Sequence, residues 1–235
     1  MTNETYIGGE LEIFAHAKNW KSYYSGLLSP FSGKVLEVGA GIGATTAILC
    51  DGSQTQWLCL EPDGQLLAQI EILIKDGKHP ACCMPKIGTL SNLESDALFD
   101  NILYIDVLEH IENDRAELEE AALHLAPGGR LIVLSPAFQF LYSPFDKSIG
   151  HYRRYTTATL SAISPQSCKL ARLIYLDSLG LLTSLGNRLL LKQSMPTIKQ
   201  ILFWDRYIVP LSKITDRLFG YRFGRSIIAI WQRAL

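Results

Sequence analysis

The chain has 235 residues, 48% of them hydrophobic, with a mean hydropathy of +0.12 and a formal net charge of −1. That length and composition describe one globular unit with room for a six- or seven-stranded sheet and a small cap, and they exclude a disordered or fibrous chain. No run of roughly 18 uncharged apolar residues occurs, and MTNETYIGGE lacks a basic then apolar leader, so a soluble, cytoplasmic protein is expected.

The near-neutral total conceals a division. Residues 1–146 hold 8 Lys and Arg against 20 Asp and Glu, whereas residues 147–235 hold 14 against 3. The basic C-terminal part suits intramolecular pairing with an acidic core, an anionic substrate, or peripheral contact with anionic membrane lipid. Basic residues are not interleaved as an RNA-binding motif requires, so no nucleic-acid partner is expected. The five cysteines are an odd number, the pattern of unpaired thiols in a reducing compartment, and His79, Cys82 and Cys83 are poorly spaced for a metal cluster.

Residues 7–28 read as one or two amphipathic helices, with Leu11, Phe14, Ala15, Trp20 and Tyr24 available for a buried face. After Pro30 and Gly33, the stretch KVLEVGAGIGATTAIL reads as a strand, a turn with three alternate glycines and a helix from Ala44 to Leu49. Gly39, Gly41 and Gly43 let a cofactor lie against main chain where no Cβ intrudes. Glu37 lies at the end of the first strand, where its carboxylate is placed to receive a cationic or hydroxyl-bearing ligand. Glu61 ends the next strand, WLCLE, placed to accept both hydroxyls of a ribose. Gly39, Gly41 and Ala44 also satisfy the dinucleotide pattern, which keeps a nicotinamide-dependent oxidoreductase open at this point.

A helix through Lys75 follows, stopped by Gly77, then a third strand from about Cys82 to Ile87 and the segment Gly88-Thr89-Leu90. Leu98 to Val107 is apolar enough for a central parallel strand and ends near Asp106, followed by Leu108-Glu109-His110. Asp114 to Leu125 reads as a helix, and Ala126-Pro127-Gly128-Gly129-Arg130 turns into a strand from Leu131 to Ser135. The next loop holds Tyr142, Asp146 and the block His151-Tyr152-Arg153-Arg154-Tyr155. Its aromatic rings suit an apolar acceptor, its arginines a carboxylate or phosphate, and His151 a proton. Segments 168–176 and 226–232 complete the sheet, and between them lies a basic amphipathic helical stretch broken at Pro196 and Pro210.

The E-x-G-x-G-x-G turn, the acid at Glu61, the stretch FDNILYIDVLEHIEND and the string LAPGGRLIVLSP resemble the class I S-adenosylmethionine-dependent methyltransferases over residues 34–136. The block GHYRRY resembles a bacterial small-molecule subgroup of that family. The resemblance implies a Rossmann-like, doubly wound, mostly parallel seven-stranded sheet with an antiparallel last strand. It divides the chain into an N-terminal helical lid (1–33), a cofactor-binding core (34–177), a helical cap (178–225) and the last strand (226–235). Gly39, Gly41 and Gly43 would hold the methionine end of the donor, Glu61 the ribose and Leu90 the adenine, with Glu37 and Asp106 nearby. Thr89 stands where the family usually has an acid. An E-H pair such as Glu109-His110 binds divalent metal in some quinone-biosynthesis relatives; with two ligands, no metal is expected here.

Methyl transfer to a small acceptor, anionic or lipid-like, is thus the leading expectation, most readily at oxygen. His151 is the first candidate base and His110 the second, with Tyr142, Arg153, Arg154 and Tyr155 on the acceptor. A protein of this fold that binds the donor without transferring the methyl group is the other alternative.

Overall fold

The computed structural model describes residues 9–186 and 195–235. Arg188, Leu189, Leu190 and Lys192, expected in the cap, and the start of the first predicted helix at residue 7 lie outside the described residues.

Seven strands form one sheet: β1 (Lys34–Val38), β2 (Gln56–Glu61), β3 (Cys83–Ile87), β4 (Phe99–Ile105), β5 (Leu125–Pro136), β6 (Cys168–Leu176) and β7 (Ser226–Arg233), in the spatial order 3-2-1-4-5-7-6. β7 pairs antiparallel with both β5 and β6, and the other six strands run the same way. β5 begins earlier than its apolar run indicates. Phe99 pairs with Leu125 before a register shift, so the turn at Gly128, with φ 75°, is carried within the strand.

Both faces of the sheet are covered, and the central strands are therefore apolar at successive positions instead of alternating with polar ones. Val35, Trp57, Leu103, Ile132 and Ile228 pack on one face, and their neighbours Leu36, Leu58, Ile102, Leu131 and Ile227 on the other. The second face is closed by α5 (Asp114–Leu123) and α7 (Thr157–Ala162), through Leu118, Ala121 and Leu160. The first face receives α2 (Lys18–Leu28), α3 (Thr46–Leu49), α4 (Gly64–Lys75) and the insertion between β6 and β7.

That insertion comprises α8 (Ser178–Gly186), α9 (Ile198–Phe203), a π-helical turn (Trp204–Ile208) and α10 (Val209–Leu218). The predicted break at Pro210 is not a break. Proline there sits in the first turn of α10, where its missing N–H is tolerated, and the π turn ending at Ile208 leads directly into that helix. Three buried carboxylates fasten this insertion to α2 and to the end of β6. Asp205 accepts from the backbone N–H groups of Asn19 and Trp20 at 3.1 and 2.9 Å. Asp216 accepts from the Tyr23 hydroxyl at 2.8 Å and from the N–H groups of Asp177 and Ser178. Asp177 accepts from Trp204 Nε1 and Ser212 Oγ at 2.8 and 2.7 Å. The N-terminal helix α2 and the insertion are thus joined into one helical layer.

Candidate active site

The turn after β1 needs glycine for two separate reasons. Gly39, Gly41 and Gly43 all have positive φ, between 56° and 76°. A Cβ on Gly39 would fall 2.7 Å from Val107 Cγ2, and one on Gly43 would fall 2.6 Å from His79 Nε2. Gly39 and Ala40 both donate to Leu60 O, which bends the chain back over β2. The helix that follows is shorter than predicted, starting at Thr46.

Glu61 braces this turn. Its carboxylate accepts from Gly41 N at 2.8 Å and Asp63 N at 3.0 Å, and burial pushes its pKa up. A carboxylate offers about four lone-pair sites, so some of its capacity is unused, but Glu61 is buried and reaches the cavity described below only through the Gly41 backbone that it holds. Glu37 has a different setting from the one expected. It is buried beneath the turn, accepts from Thr46 Oγ1 and Trp57 Nε1 at 2.7 Å each, and does not line the cavity described below. Burial raises its pKa to about 7. Thr89 is exposed and caps a short helical turn with Asn92, while Leu90 is buried in the core; neither borders the cavity.

A cavity of about 1110 Å³ opens at the carboxyl edge of β1, β4 and β5. Drug-sized ligand sites run to about 1000 Å³, so this one has space for two small molecules in contact. Gly39 to Ile42 with Ala44 and Thr45 supply one wall, while Gly43 packs toward His79 and Ile70 and does not border it; Leu11, Phe14, Trp20 and Tyr24 from the N-terminal helices supply another. Asp106, with φ 55°, turns its side chain into the cavity directly after β4. Low-dielectric surroundings raise its pKa, opposed by the positive charges of His151, Lys21, Arg225 and Arg154.

The loop after β5 contributes the polar end. His151 Nδ1 lies 3.0 Å from Asp146 Oδ1, and its Nε2 lies 3.8 Å from Glu109 Oε1. Asp146 is also held by Arg154, through Nε at 2.8 Å and a terminal nitrogen at 3.0 Å, and by Ser143 N and Oγ. Burial alone would raise its pKa, but the hydrogen bonds from His151 and Arg154 prevail and hold it well below the ordinary carboxylate range. For His151, burial works against the charged form; the hydrogen bond to Asp146 and the Glu109 carboxylate outweigh it and raise the pKa. His110 packs edge-on to His151 with ring centroids 4.5 Å apart, and burial lowers its pKa to about 4. The Glu109 pKa is raised chiefly by burial; Ser135 donates to its Oε2 at 2.9 Å, and its Oε1 has no hydrogen-bond partner among the described residues.

Two expected acceptor residues are directed elsewhere. Arg153 pairs with Asp114 at 2.6 Å and donates to Glu112 O, and Tyr155 is buried with its hydroxyl donating to Asp114 and Leu108 O. Neither borders the cavity, because both side chains tie the loop to α5. Arg154, Tyr142, His110 and His151 do border it, and the Tyr142 hydroxyl donates to His151 O at 2.6 Å.

Sequence reasoning overlooked Lys21 and did not single out Arg225. Lys21 is buried, donates to Phe14 O at 2.7 Å and has a lowered pKa from desolvation. A lysine beside Trp20 on an otherwise apolar buried helix face was the available signal. Arg225 pairs with Asp177 at 3.3 Å and stacks 4.1 Å over the Trp204 ring.

Among the described residues, two groups have metal-compatible spacing, Glu109 with His110 and His151, and Cys50 with Cys82 and Cys83. Cys50, not His79, completes the second, and it borders no cavity named here. The first faces Lys21, Arg154 and Arg225 across the same cavity, a cationic setting that favours proton handling over a divalent ion.

Residues 36–131 match a family model described as a methyltransferase domain. No curated protein matches the chain by sequence. Among solved structures, the N-methyltransferase NodS from Bradyrhizobium japonicum WM9 superposes with a TM-score of 0.58 at 14% identity, covering 96% of this chain and 99% of that one. An S-adenosylmethionine-dependent methyltransferase from Clostridium acetobutylicum ATCC 824 gives 0.60 at 12% identity, covering 96% of each. The [4+2]-cyclase SpnF gives 0.63 at 12%, covering 92% of this chain and 81% of that one, so the fold also serves another reaction. The matched segment runs from β1 through the glycine turn, Glu61 and Asp106 into β5, so the centre of the sheet and the turn at its edge are what this chain has in common with a methyltransferase domain.

Proposed function

We propose that the protein methylates an oxygen of a small anionic acceptor with an apolar portion, and that His151 takes the acceptor's proton. The observation that carries this reading is the Asp146–His151 pair, whose histidine lines the same cavity as the glycine turn. The donor supplies the methyl group on a sulfonium, and Gly39 and Gly41 would hold its methionine end, Gly43 letting the turn close behind them, with Glu61 toward the ribose.

The chain's own residues then have three tasks. Asp146 fixes the His151 ring through Nδ1, which leaves Nε2 toward the acceptor; the pair resembles other histidine bases oriented by a carboxylate. His110, with a pKa near 4, is the weaker base. Trp20, Tyr24, Phe14 and Phe145 exclude water and receive the apolar portion. Lys199, exposed on the rim and without a carboxylate within 4 Å among the described residues, suits the acceptor's anionic group, with Arg225 deeper in.

The test is release of S-adenosylhomocysteine with a panel of hydroxylated anionic amphiphiles, neutral phenols and amines. Turnover on the anionic hydroxyl compounds that falls roughly 100- to 10,000-fold in His151→Ala supports the reading. Turnover confined to amines and insensitive to that substitution refutes it.

A further inference from the structure

The helical layer over the cavity has an outer face that the core does not explain. Along α9, the π turn and α10, Ile201, Trp204, Asp205, Val209, Ser212 and Asp216 are buried. The opposite side exposes Ile198, Leu202, Phe203, Tyr207, Leu211, Ile214 and Leu218, with Leu211 52%, Ile214 61% and Leu218 78% accessible. Leu182 of α8 and Phe219 extend the patch. Single exposed leucines are ordinary in soluble proteins, but a continuous apolar stripe over more than five helical turns is the mark of a contact surface.

Charge chooses the partner. Lys199, Arg206, Lys213, Arg217 and Arg222 are exposed along the same stretch. The three acids of residues 147–235, Asp177, Asp205 and Asp216, are all buried in the contacts that fasten the insertion. The exposed face therefore carries cations and apolar groups with no acid among them. Self-pairing across this face would set lysines and arginines against one another without a counter-charge, which disfavours a second copy. An anionic bilayer offers headgroup charge for the rim and hydrocarbon for the stripe. No helix among the described residues is long and apolar enough to cross a membrane, so the geometry is that of a helix lying in the interface.

We infer that α9 to α10 docks the enzyme on an anionic membrane surface and that the acceptor is an amphiphile taken from that surface. Lys199 and Phe203 belong both to this face and to the cavity wall, so the docked orientation turns the cavity mouth toward the lipid. This inference rests on the proposed acceptor class and gives it a source.

The experiment is co-sedimentation of the whole protein with phosphatidylcholine vesicles and with vesicles containing about 30% phosphatidylglycerol. One variant combines Leu211→Ser, Ile214→Ser and Leu218→Ser; another combines Arg206→Gln, Lys213→Gln and Arg217→Gln. All six side chains are exposed, and S-adenosylmethionine binding measured by calorimetry reports whether each variant keeps its fold. Each surface cation is worth roughly five-fold in partitioning, so the charge variant is expected to bind anionic vesicles at least ten-fold more weakly, and the serine variant likewise. Wild-type protein that stays in the supernatant with anionic vesicles overturns the inference, as does binding that the serine substitutions leave unchanged. A wild-type dimer that the serine variant dissolves, without vesicle binding, replaces the bilayer with a second copy. Wild-type protein that binds the donor but does not dock refutes this inference alone; wild-type protein that docks but binds no donor refutes the methyl-transfer reading and leaves the docking face.

Discussion

Asp146 gives His151 both its orientation and its raised pKa, and the two effects make separable predictions. A base must be neutral to accept a proton, so activity should fall as pH drops through the His151 pKa, which lies above the ordinary value of about 6.5. Asp146→Asn removes the negative charge that raises that pKa; the acid limb of kcat/KM should move to lower pH, with a reduced plateau. An unmoved limb would exclude His151 as the titrating base. Stability runs the opposite way: protonated His151 stabilises the fold below about 6.5, and that contribution is lost as pH climbs through the raised pKa. Thermal unfolding followed against pH checks this, and a Tm independent of pH across that window would contradict it. At the donor end, Glu61→Ala removes the acceptor for Gly41 N and for the expected ribose hydroxyls, and should weaken donor binding by roughly 1 to 3 kcal/mol.

At the scale of elements, the sheet was legible because its strands are short apolar runs bounded by turns, and their order in the chain dictates a parallel arrangement. The lid and cap were legible as helices but not as one layer. What joins them is a set of buried acids from the far end of the chain, Asp205 and Asp216, whose partners Asn19, Trp20 and Tyr23 lie more than 180 residues away. Nothing in local spacing announces such a pairing. Glu37, Arg153 and Tyr155 were misplaced for a related reason: residue type and position identify a carboxylate or guanidinium near a site, but not which neighbour claims it. Asp216→Ala should leave the Tyr23 hydroxyl and two backbone N–H groups without their acceptor and cost about 3 kcal/mol or more of stability. Urea unfolding measures that cost, and a loss below about 1 kcal/mol would show that the carboxylate does not fasten the layer.

For the molecule as a whole, the divided charge is resolved by burial. Arg153 and Arg154 pair with Asp114 and Asp146 of the acidic part, whereas all three acids of the C-terminal part are buried and Lys199, Arg206, Lys213, Arg217 and Arg222 are exposed, so that basic surface is available to a partner. The cavity sits between that surface and the glycine turn, with Asp106 and His151 at its polar end. The claim on which every other one depends is that the turn holds S-adenosylmethionine. Titration calorimetry of S-adenosylmethionine, S-adenosylhomocysteine and NAD into the wild-type protein and Glu61→Ala tests it directly. Micromolar binding of both sulfur ligands, weakened in the variant, and none of NAD is the expected result; binding of NAD, or sulfur-ligand affinity indifferent to Glu61, would contradict the assignment.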